Sequence, residues 1–127
     1  MLTDLHMYAT LPATDLERAR RFYAEKLGLI PESELPGGLL YRCGGDSRFS
    51  VFPSQGEASG THTQAMWLVE DVESEVAALK ARGVVFKEYD LPSLSTINSI
   101  ASIGTNKGAW FKDSEGNLIS LVQLDEG

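Results

Sequence analysis

The chain has 127 residues, which at roughly 150 residues per domain predicts one compact domain over residues 1–127. Eleven Lys and Arg against 18 Asp and Glu give a net charge of −7, which argues against a protein that neutralises nucleic-acid phosphates. The longest apolar run, Ala65–Val69, is too short to span a membrane, and the single cysteine, Cys43, cannot form an internal disulfide, so we expect a cytoplasmic protein without a membrane partner.

The chain opens with a predicted strand and helix. A short mixed strand covers Leu5–Thr10, and Thr14 with Glu17 three residues later forms a capping box that starts a helix. Gly28 supplies the stop signal at the other end of this helix. Apolar residues recur between these signals at helical spacing: Leu16, Ala19, Phe22, Tyr23 and Leu27.

The same order of elements recurs in the second half. Asp71 is the predicted N-cap of a second helix, which Gly83 stops. In each half, two strands then flank a hairpin turn rich in glycine and acidic residues. The strand pairs are Leu39–Cys43 with Phe49–Phe52 and Ala109–Lys112 with Leu118–Leu124, around the turns Gly44–Asp46 and Asp113–Gly116.

An internal repeat connects the two halves. At a separation of 56 residues, His6 falls on His62 and Asp15 on Asp71. The strands that follow match at 69, which implies about 13 inserted residues near Ser95–Lys107 in the second unit. Two βαβββ units are therefore predicted, over about 4–55 and 61–125. The matches at 69 place Tyr41 on Trp110, Phe49 on Leu118 and Val51 on Ser120.

Several stretches of the chain also carry a family resemblance. They are Leu11–Ala19, Phe22–Tyr23, Leu27–Leu29, Val69–Val72, Leu79 with Arg82–Gly83 and, most specifically, Trp110–Leu118. Through them the sequence resembles the glyoxalase/bleomycin-resistance/dioxygenase superfamily, also called vicinal oxygen chelate proteins, over nearly its whole length. The resemblance implies an α+β fold in which two βαβββ units form a half-open mixed-sheet barrel with helices on the outside. It also implies a small-molecule ligand inside the barrel and a homodimer, either swapped or side by side.

The family resemblance implies where a metal ion would bind. Metal-using members place ligands on the first and last strands of each unit, positions carried over here to Tyr8, Val51, Gln64 and Ser120. Divalent metals need imidazole, thiolate or carboxylate donors, usually three or more from the protein. None of these four side chains is such a donor. We therefore expect no metal or other cofactor and assign no catalytic residue; a metal-dependent lyase or dioxygenase with a non-standard site is the alternative.

Two histidines bear on that expectation. His6 and His62 each lie two residues before a family ligand position and share its strand parity, so both could point into the barrel. Ordinary hydrogen bonding, a displaced metal site and proton shuttling are the three interpretations. The first is favoured, because neighbours of the same parity on the closing strands, such as Phe49 and Leu118, cannot ligate a metal.

Strand parity from the family positions predicts a mostly apolar pocket lining with a few polar groups. Tyr8 and Phe49 could stack on a planar ligand. A four-residue loop over Asp113–Gly116 would turn Phe111 inward, whereas a shift of one residue would turn Trp110 inward, and the sequence leaves both open. The predicted ligand-binding residues are His6, Tyr8, Phe49, Val51, His62, Gln64, Met66, Trp110, Phe111 and Ser120.

The inserted segment alternates isoleucine with small polar residues and has no charge over Leu94–Gly104. It could be a lid that closes over a ligand, or an extra loop or edge strand at a subunit interface. Taken together, these features predict a metal-free, homodimeric protein that binds an uncharged, partly aromatic small molecule. A scaffold with a vestigial cavity is the third alternative.

Overall fold

The computed structural model describes residues 1–125. After a 3₁₀ turn at Leu2–Asp4, this part of the chain forms two helices and ten strands. The helices are α1 (Leu16–Leu27) and α2 (Val72–Ala81). The strands are β1 (Ala9–Ala13), β2 (Ser33–Leu35), β3 (Gly38–Arg42), β4 (Arg48–Pro53), β5 (Thr63–Leu68), β6 (Asp90–Leu91), β7 (Leu94–Ile97), β8 (Ile100–Ile103), β9 (Asn106–Lys112) and β10 (Leu118–Gln123).

The strands form two mixed sheets, one from each half of the chain. Their strand orders are β1-β4-β3-β2 and β5-β10-β9-β8-β7-β6. The first and last strands of each unit, β1 with β4 and β5 with β10, pair in parallel, while the other neighbours are antiparallel. The two sheets meet where β1 contacts β5 but do not close. The predicted α+β fold, two βαβββ units in a half-open barrel, is confirmed.

The first helix begins one residue later than predicted. Its N-cap is Asp15, whose side chain accepts a hydrogen bond from the Arg18 amide at 3.0 Å. The Thr14 hydroxyl instead donates to Glu115 of the second unit at 3.3 Å, so a distant partner removes it from the capping role. Gly28 ends the helix as predicted, with φ of 71°, a left-handed conformation that glycine adopts without strain.

The second helix follows its predicted cap. Asp71 accepts hydrogen bonds from the amides of Glu73 and Ser74. The amide of Val72 donates to the side-chain oxygen of Gln123 at 2.9 Å, so the last strand also satisfies the start of α2. Neither helix in residues 1–125 has the length and apolarity required to cross a bilayer.

The core lies between the sheets and the helices. On the α1 side it is aromatic: the rings of Tyr41 and Phe49 stack with centroids 4.8 Å apart, and Tyr23 of the helix lies 5.3 Å from Tyr41. On the α2 side, Phe111 is buried against Phe86 at 5.5 Å. Helix packing on one side of each sheet leaves the other side to form the interior of the half-open barrel.

The turn between β9 and β10 connects the two units. Glu115 accepts hydrogen bonds from the Arg18 guanidinium at 2.7 and 3.0 Å and from the Asp15 amide at 2.9 Å. Burial raises the pKa of Glu115, but the hydrogen bonds from Arg18 and Asp15 outweigh it and lower the pKa to about 2. A carboxylate of the second unit thus binds the start of α1 in the first.

A second carboxylate in the same turn, that of Asp113, accepts hydrogen bonds at both of its oxygens. Asp113 accepts from the buried Tyr23 hydroxyl at 2.7 Å and from the amides of Glu115 and Asn117 at 2.8 and 2.9 Å. The Asn117 side-chain amide donates both to Asp113 and to the carbonyl of Pro12 on β1. The most family-specific stretch of the sequence therefore joins the two units.

The inserted segment forms a hairpin that extends the second sheet beyond β9. Its turn residues Asn98 and Ser99 have φ of 52° and 75°, the pair of positive angles that a two-residue hairpin turn requires. The Glu88 carboxylate holds this turn, accepting from the Ser99 amide at 3.0 Å, the Ser99 hydroxyl at 2.6 Å and the Thr96 hydroxyl at 2.7 Å. The segment is thus an edge extension of the sheet; a role at a subunit interface stays a prediction.

Candidate functional site

The side of each sheet that the helices leave uncovered is called here the open face. Side chains alternate along a strand, and residues paired across a ladder point to the same side. The helix side carries the rows Ala9–Phe49–Tyr41 and Ala65–Ile119–Phe111. The neighbouring rows, on the open face, are Thr10–Ser50–Leu40 and Met66–Ser120–Trp110, accompanied by Tyr8, Arg48, Phe52, Leu68 and Val122.

Four of the predicted ligand-binding residues lie on this open face. They are Tyr8 just before β1, Met66 on β5, Trp110 on β9 and Ser120 on β10. Met66 is 57% exposed and Tyr8 39%, whereas Ser120 is buried in the middle of its row. The structure also decides between the two aromatic residues of β9, because Trp110 pairs with Ser120 while Phe111 pairs with Ile119.

Three predicted residues point the other way. Phe49, Val51 and Phe111 are buried core residues on the helix side, so the prediction that Phe49 and Val51 point into the barrel is wrong. Val51 pairs with Leu11, and both belong to the core. The ring of Phe49 contacts Tyr41 and the edge of Trp67, not the open face.

An error of one residue in the repeat explains these misplacements. The closing strands match at 70 rather than 69, because Ser50 corresponds to Ser120 in the two open-face rows. The β9–β10 loop has five residues rather than four, since Lys112 pairs with Leu118. Because side chains alternate along a strand, a shift of one residue reverses every face.

The two histidines lie outside the strands. His6 precedes β1, with its ring centroid 6.4 Å from that of Tyr8. His62 precedes β5 and has its Nδ1 atom 3.4 Å from the Ser59 hydroxyl. Both side chains thus make ordinary local contacts.

Gln64 occupies an irregular point in the second sheet. The pairing of β5 with β10 shifts beside it, so Thr63 pairs with Leu118 but Ala65 with Ile119. This bulge interrupts the alternation of side chains, and parity does not assign Gln64 to the open face. Its side-chain oxygen is buried without a hydrogen-bond partner within residues 1–125.

Tyr8 has a charged neighbour that sequence reasoning missed. Arg48, on the open-face side of β4, donates two hydrogen bonds to Glu32 at 2.8 and 3.1 Å. The hydrogen bond to Glu32 raises the pKa of Arg48, and a contact with the Tyr8 hydroxyl adds to this effect. The guanidinium beside Tyr8 is therefore already paired with a carboxylate.

Trp110 also has a partner that was missed. The ring of Tyr89 meets it edge to face, with centroids 5.6 Å apart at 87°. The ammonium of Lys87 lies 5.8 Å from the centre of the Tyr89 ring. Tyr89 lies outside the paired strands, so strand parity gave no signal for it.

The chemistry of the family's metal positions can now be assessed with the correct register. The position assigned to Val51 belongs to Ser50, so the four positions hold Tyr8, Ser50, Gln64 and Ser120. All four are neutral oxygen donors at best, a set that does not suit a divalent transition metal. Within residues 1–125, no group of three or more His, Cys, Asp or Glu side chains is arranged to hold a metal ion. These residues do not fit the metal centre of the family's enzymes.

Solved structures similar to this chain include one described as an antibiotic binding protein and one described as a lyase. TnmS3, an antibiotic binding protein from Streptomyces sp. CB03234, has a TM-score of 0.64 at 22% identity, over 95% of this chain and 98% of that chain. A glyoxalase/bleomycin resistance protein from Catenulispora acidiphila DSM 44928 has a TM-score of 0.68 at 17% identity, over 95% and 99%. Lactoylglutathione lyase from Agrobacterium tumefaciens has a TM-score of 0.61 at 20% identity, over 94% and 92%. At these identities the likeness concerns the fold.

The comparison with curated proteins finds no match. A family model, in contrast, matches residues 5–121, which is nearly the whole sequence. Together with the paired βαβββ units, this match shows that the chain belongs to the Glyoxalase/Bleomycin resistance protein/Dioxygenase superfamily.

Proposed function

We propose that this protein binds an uncharged, partly aromatic small molecule on its open face without a metal ion, and that binding itself is its function. The observation that carries the proposal is the donor chemistry of the four family metal positions. Tyr8, Ser50, Gln64 and Ser120 can hydrogen-bond to a ligand but lack the imidazole, thiolate or carboxylate groups that metal chemistry needs.

The apolar surface of the open face supports this proposal. Met66 and Leu68 are 57% and 63% exposed, and the aromatic rings of Tyr8 and Trp110 lie on the same face. Covering apolar surface stabilises a complex by about 25 cal/mol per Å². An uncharged ligand fits because Glu32 already neutralises Arg48 beside Tyr8.

A homodimer is the second part of the proposal. In a single chain, the half-exposed Met66 and Leu68 show that the open face is uncovered. A second copy that faces it would enclose a ligand between the two chains and bury these side chains. A solvent-exposed apolar patch of this kind is typical of an interaction surface.

The names of the relatives include both binding and catalysis. TnmS3 is described as an antibiotic binding protein, and it shares the fold over nearly the full length. The lyase shares the same fold, so the fold alone does not decide. The residues at the metal positions favour the binding function.

Titration with N-phenyl-1-naphthylamine, an uncharged aromatic fluorophore, tests the ligand site. We expect saturable fluorescence enhancement, weakened at least about fivefold in Tyr8→Ala because ring stacking is lost. Tyr8→Phe is the matched control and should bind as the wild type does. Equal affinity in Tyr8→Ala would remove Tyr8 from the site, and a failure of this probe and of a library of uncharged aromatic compounds to bind would favour the scaffold alternative.

Metal analysis of protein purified without a histidine tag tests the absence of a metal centre. We expect no stoichiometric zinc, nickel, iron or manganese. About one ion per chain would overturn the proposal in favour of a lyase or dioxygenase with a non-standard site.

Light scattering tests the dimer. Leu68→Glu introduces a charge on the open face and should produce a monomer that no longer binds the fluorophore. Val85→Glu is the control, because Val85 is 84% exposed and lies outside the open-face strands. A Leu68→Glu protein that remains dimeric would place the interface elsewhere.

A further inference from the structure

The inserted hairpin creates a cleft that is separate from the open face. It lies between α2 and the β7–β8 hairpin and has a volume of about 910 Å³. Cavities of about 300–1,000 Å³ are typical of small-molecule sites. Ile97 and Ile100 of the hairpin line it, on the side of the sheet that faces α2.

One face of α2 forms the opposite wall. Val76, Ala77 and Lys80 lie three, four and seven residues after Glu73, so the four share one side of the helix. Seven residues separate Glu73 from Lys80, which makes the wall about 10 Å long at 1.5 Å per residue. The middle of this wall is apolar, with Val76 nearly fully buried.

The two ends of the cleft differ in charge. At one end, the ammonium of Lys107 pairs with Glu73 at 3.0 Å and is neutralised. At the other end, Lys80 has no carboxylate within 4.0 Å among residues 1–125. Glu88 interacts electrostatically with Lys80, but its carboxylate oxygens accept hydrogen bonds from the hydroxyl groups of Ser99 and Thr96. A cation without a close ion-pair partner in residues 1–125 therefore lies at one end of an apolar wall.

Between the ends, the rim of the cleft is polar but uncharged. It carries the hydroxyl groups of Ser93, Ser95 and Ser102 and the side-chain amide of Asn98. These groups can donate hydrogen bonds to an oxygen-rich ligand without repelling it. The protein has a net charge of −7, but charges more than about 8 Å away are largely screened at physiological salt. The groups that line the cleft therefore decide whether an anion can bind there.

We infer that this cleft binds a small amphipathic carboxylate, whose anionic group pairs with Lys80 and whose apolar body lies on Val76, Ala77 and Ile100. The site is independent of the proposed open-face site and takes a ligand of different chemistry. It belongs to the insertion that distinguishes the second unit from the first, which has only the short strand β2 at the corresponding edge.

Titration of the full chain with octanoate, followed by the amide signals of a ¹⁵N-labelled sample, tests this inference. We expect saturable shifts over residues 72–81 and 94–103. Acetate, which has the anionic group alone, and octylamine, which has the body with the opposite charge, should each bind at least about tenfold more weakly. Shifts confined to the open face, or equal binding of octylamine, would overturn the inference.

Charge substitutions on the two helices provide the matched variants. Lys80→Gln should weaken octanoate binding about tenfold, because one charge-assisted pair is lost. Lys26→Gln in the last turn of α1 is the control and should change it by less than roughly twofold. Ala77→Glu should abolish binding, since the new carboxylate fills the wall and pairs with Lys80 three residues later.

These variants also separate the two proposed sites. Tyr8→Ala should leave octanoate binding unchanged, and Lys80→Gln should leave binding of the naphthylamine fluorophore unchanged. All the substituted residues of α2 lie on its surface, and a thermal unfolding curve verifies that each variant is folded. Unaltered octanoate affinity in folded Lys80→Gln would show that the carboxylate does not bind at this end of the cleft.

Discussion

The two hairpin turns of the repeat have the same place in the fold and opposite surroundings. The turn between β3 and β4 is closed by a bond from the Cys43 amide to the Ser47 carbonyl at 2.9 Å. The turn between β9 and β10 is closed in the same way by Asp113 and Asn117 at 3.0 Å, 70 residues later. The two turns therefore share this closing bond, but the inner turn runs from Gly44 to Ser47 in the first and from Asp113 to Gly116 in the second.

The side chains of these turns differ completely in their contacts. In the first turn, Asp46 is 75% exposed and makes a long ion pair of 3.6 Å with Arg42. In the second, Asp113 and Glu115 are buried and bind groups on α1 and within the turn. The comparison shows that the repeat preserves the hairpin of each unit, whereas, of the two turns in residues 1–125, only the second makes hydrogen bonds to the other unit.

Removing a carboxylate from each turn should give the largest difference in the free energy of unfolding. Asp113→Ala leaves the Tyr23 hydroxyl and two backbone amides without their acceptor, so we expect a loss of at least about 3 kcal/mol in the free energy of unfolding. Asp46→Ala, which removes the one carboxylate of the first turn, should cost less than about 0.5 kcal/mol. Urea denaturation followed by circular dichroism measures both, and similar losses would contradict the asymmetry.

The pH dependence of stability should reveal a smaller contribution from the second turn. The pKa of Glu115 is lowered to about 2 in the folded protein, below its ordinary value of 4.5. Ionised Glu115 therefore stabilises the fold above pH 4.5, and this contribution is lost as the pH falls from about 4.5 through about 2. Glu115→Gln should lose about 2 kcal/mol at neutral pH and flatten this part of the stability profile.

Glu32→Gln is the control for that titration. Glu32 also has a lowered pKa, chiefly because of its hydrogen bonds from Arg48, but the pair lies at the surface within the first unit. Solvent and salt screen such a pair, so a much smaller loss is expected. If both substitutions change the free energy of unfolding equally between pH 4.5 and pH 2, Glu115 stabilises the fold no more than a surface ion pair does.

The smallest expected effects concern the positive-φ glycine of each turn, where the costs should be similar although the two glycines are not equivalent in the repeat. Gly45 and Gly116 have φ of 63° and 86°, and an added methyl group would meet no close neighbour at either position. Each alanine substitution should cost about 1 kcal/mol, because the strain comes from the positive φ alone. Thermal unfolding of both variants measures the loss of stability. A much larger loss for Gly116→Ala would show that the backbone of the second turn is also constrained.

Much of the fold could be predicted from local signals. The caps at Asp71 and Gly28 and the two hairpins follow from residue types at fixed spacing, and the structure confirms them. The Thr14 cap was wrong because its hydroxyl binds Glu115, 101 residues away. A local pattern carries no information about such a partner.

The candidate site was predicted less well than the fold. Tyr8, Met66, Ser120 and Trp110 lie on the open face, but Phe49 and Val51 do not. The difference came from one residue in the separation of the repeated strands, which alternation converts into a reversal of faces. Tyr89 and Arg48 were missed because their relation to the site depends on packing rather than on strand periodicity.

The amino-acid sequence by itself determined the number of units, the order of their elements and the chemical character of the family metal positions. These properties depend on periodicity, on capping residues and on which donor atoms a side chain has. Only the tertiary structure decided which way each closing strand faces, that the Asp113–Asn117 turn joins the units, and that the insertion forms a cleft against α2. Those outcomes depend on contacts between residues up to about a hundred positions apart, which no local pattern encodes.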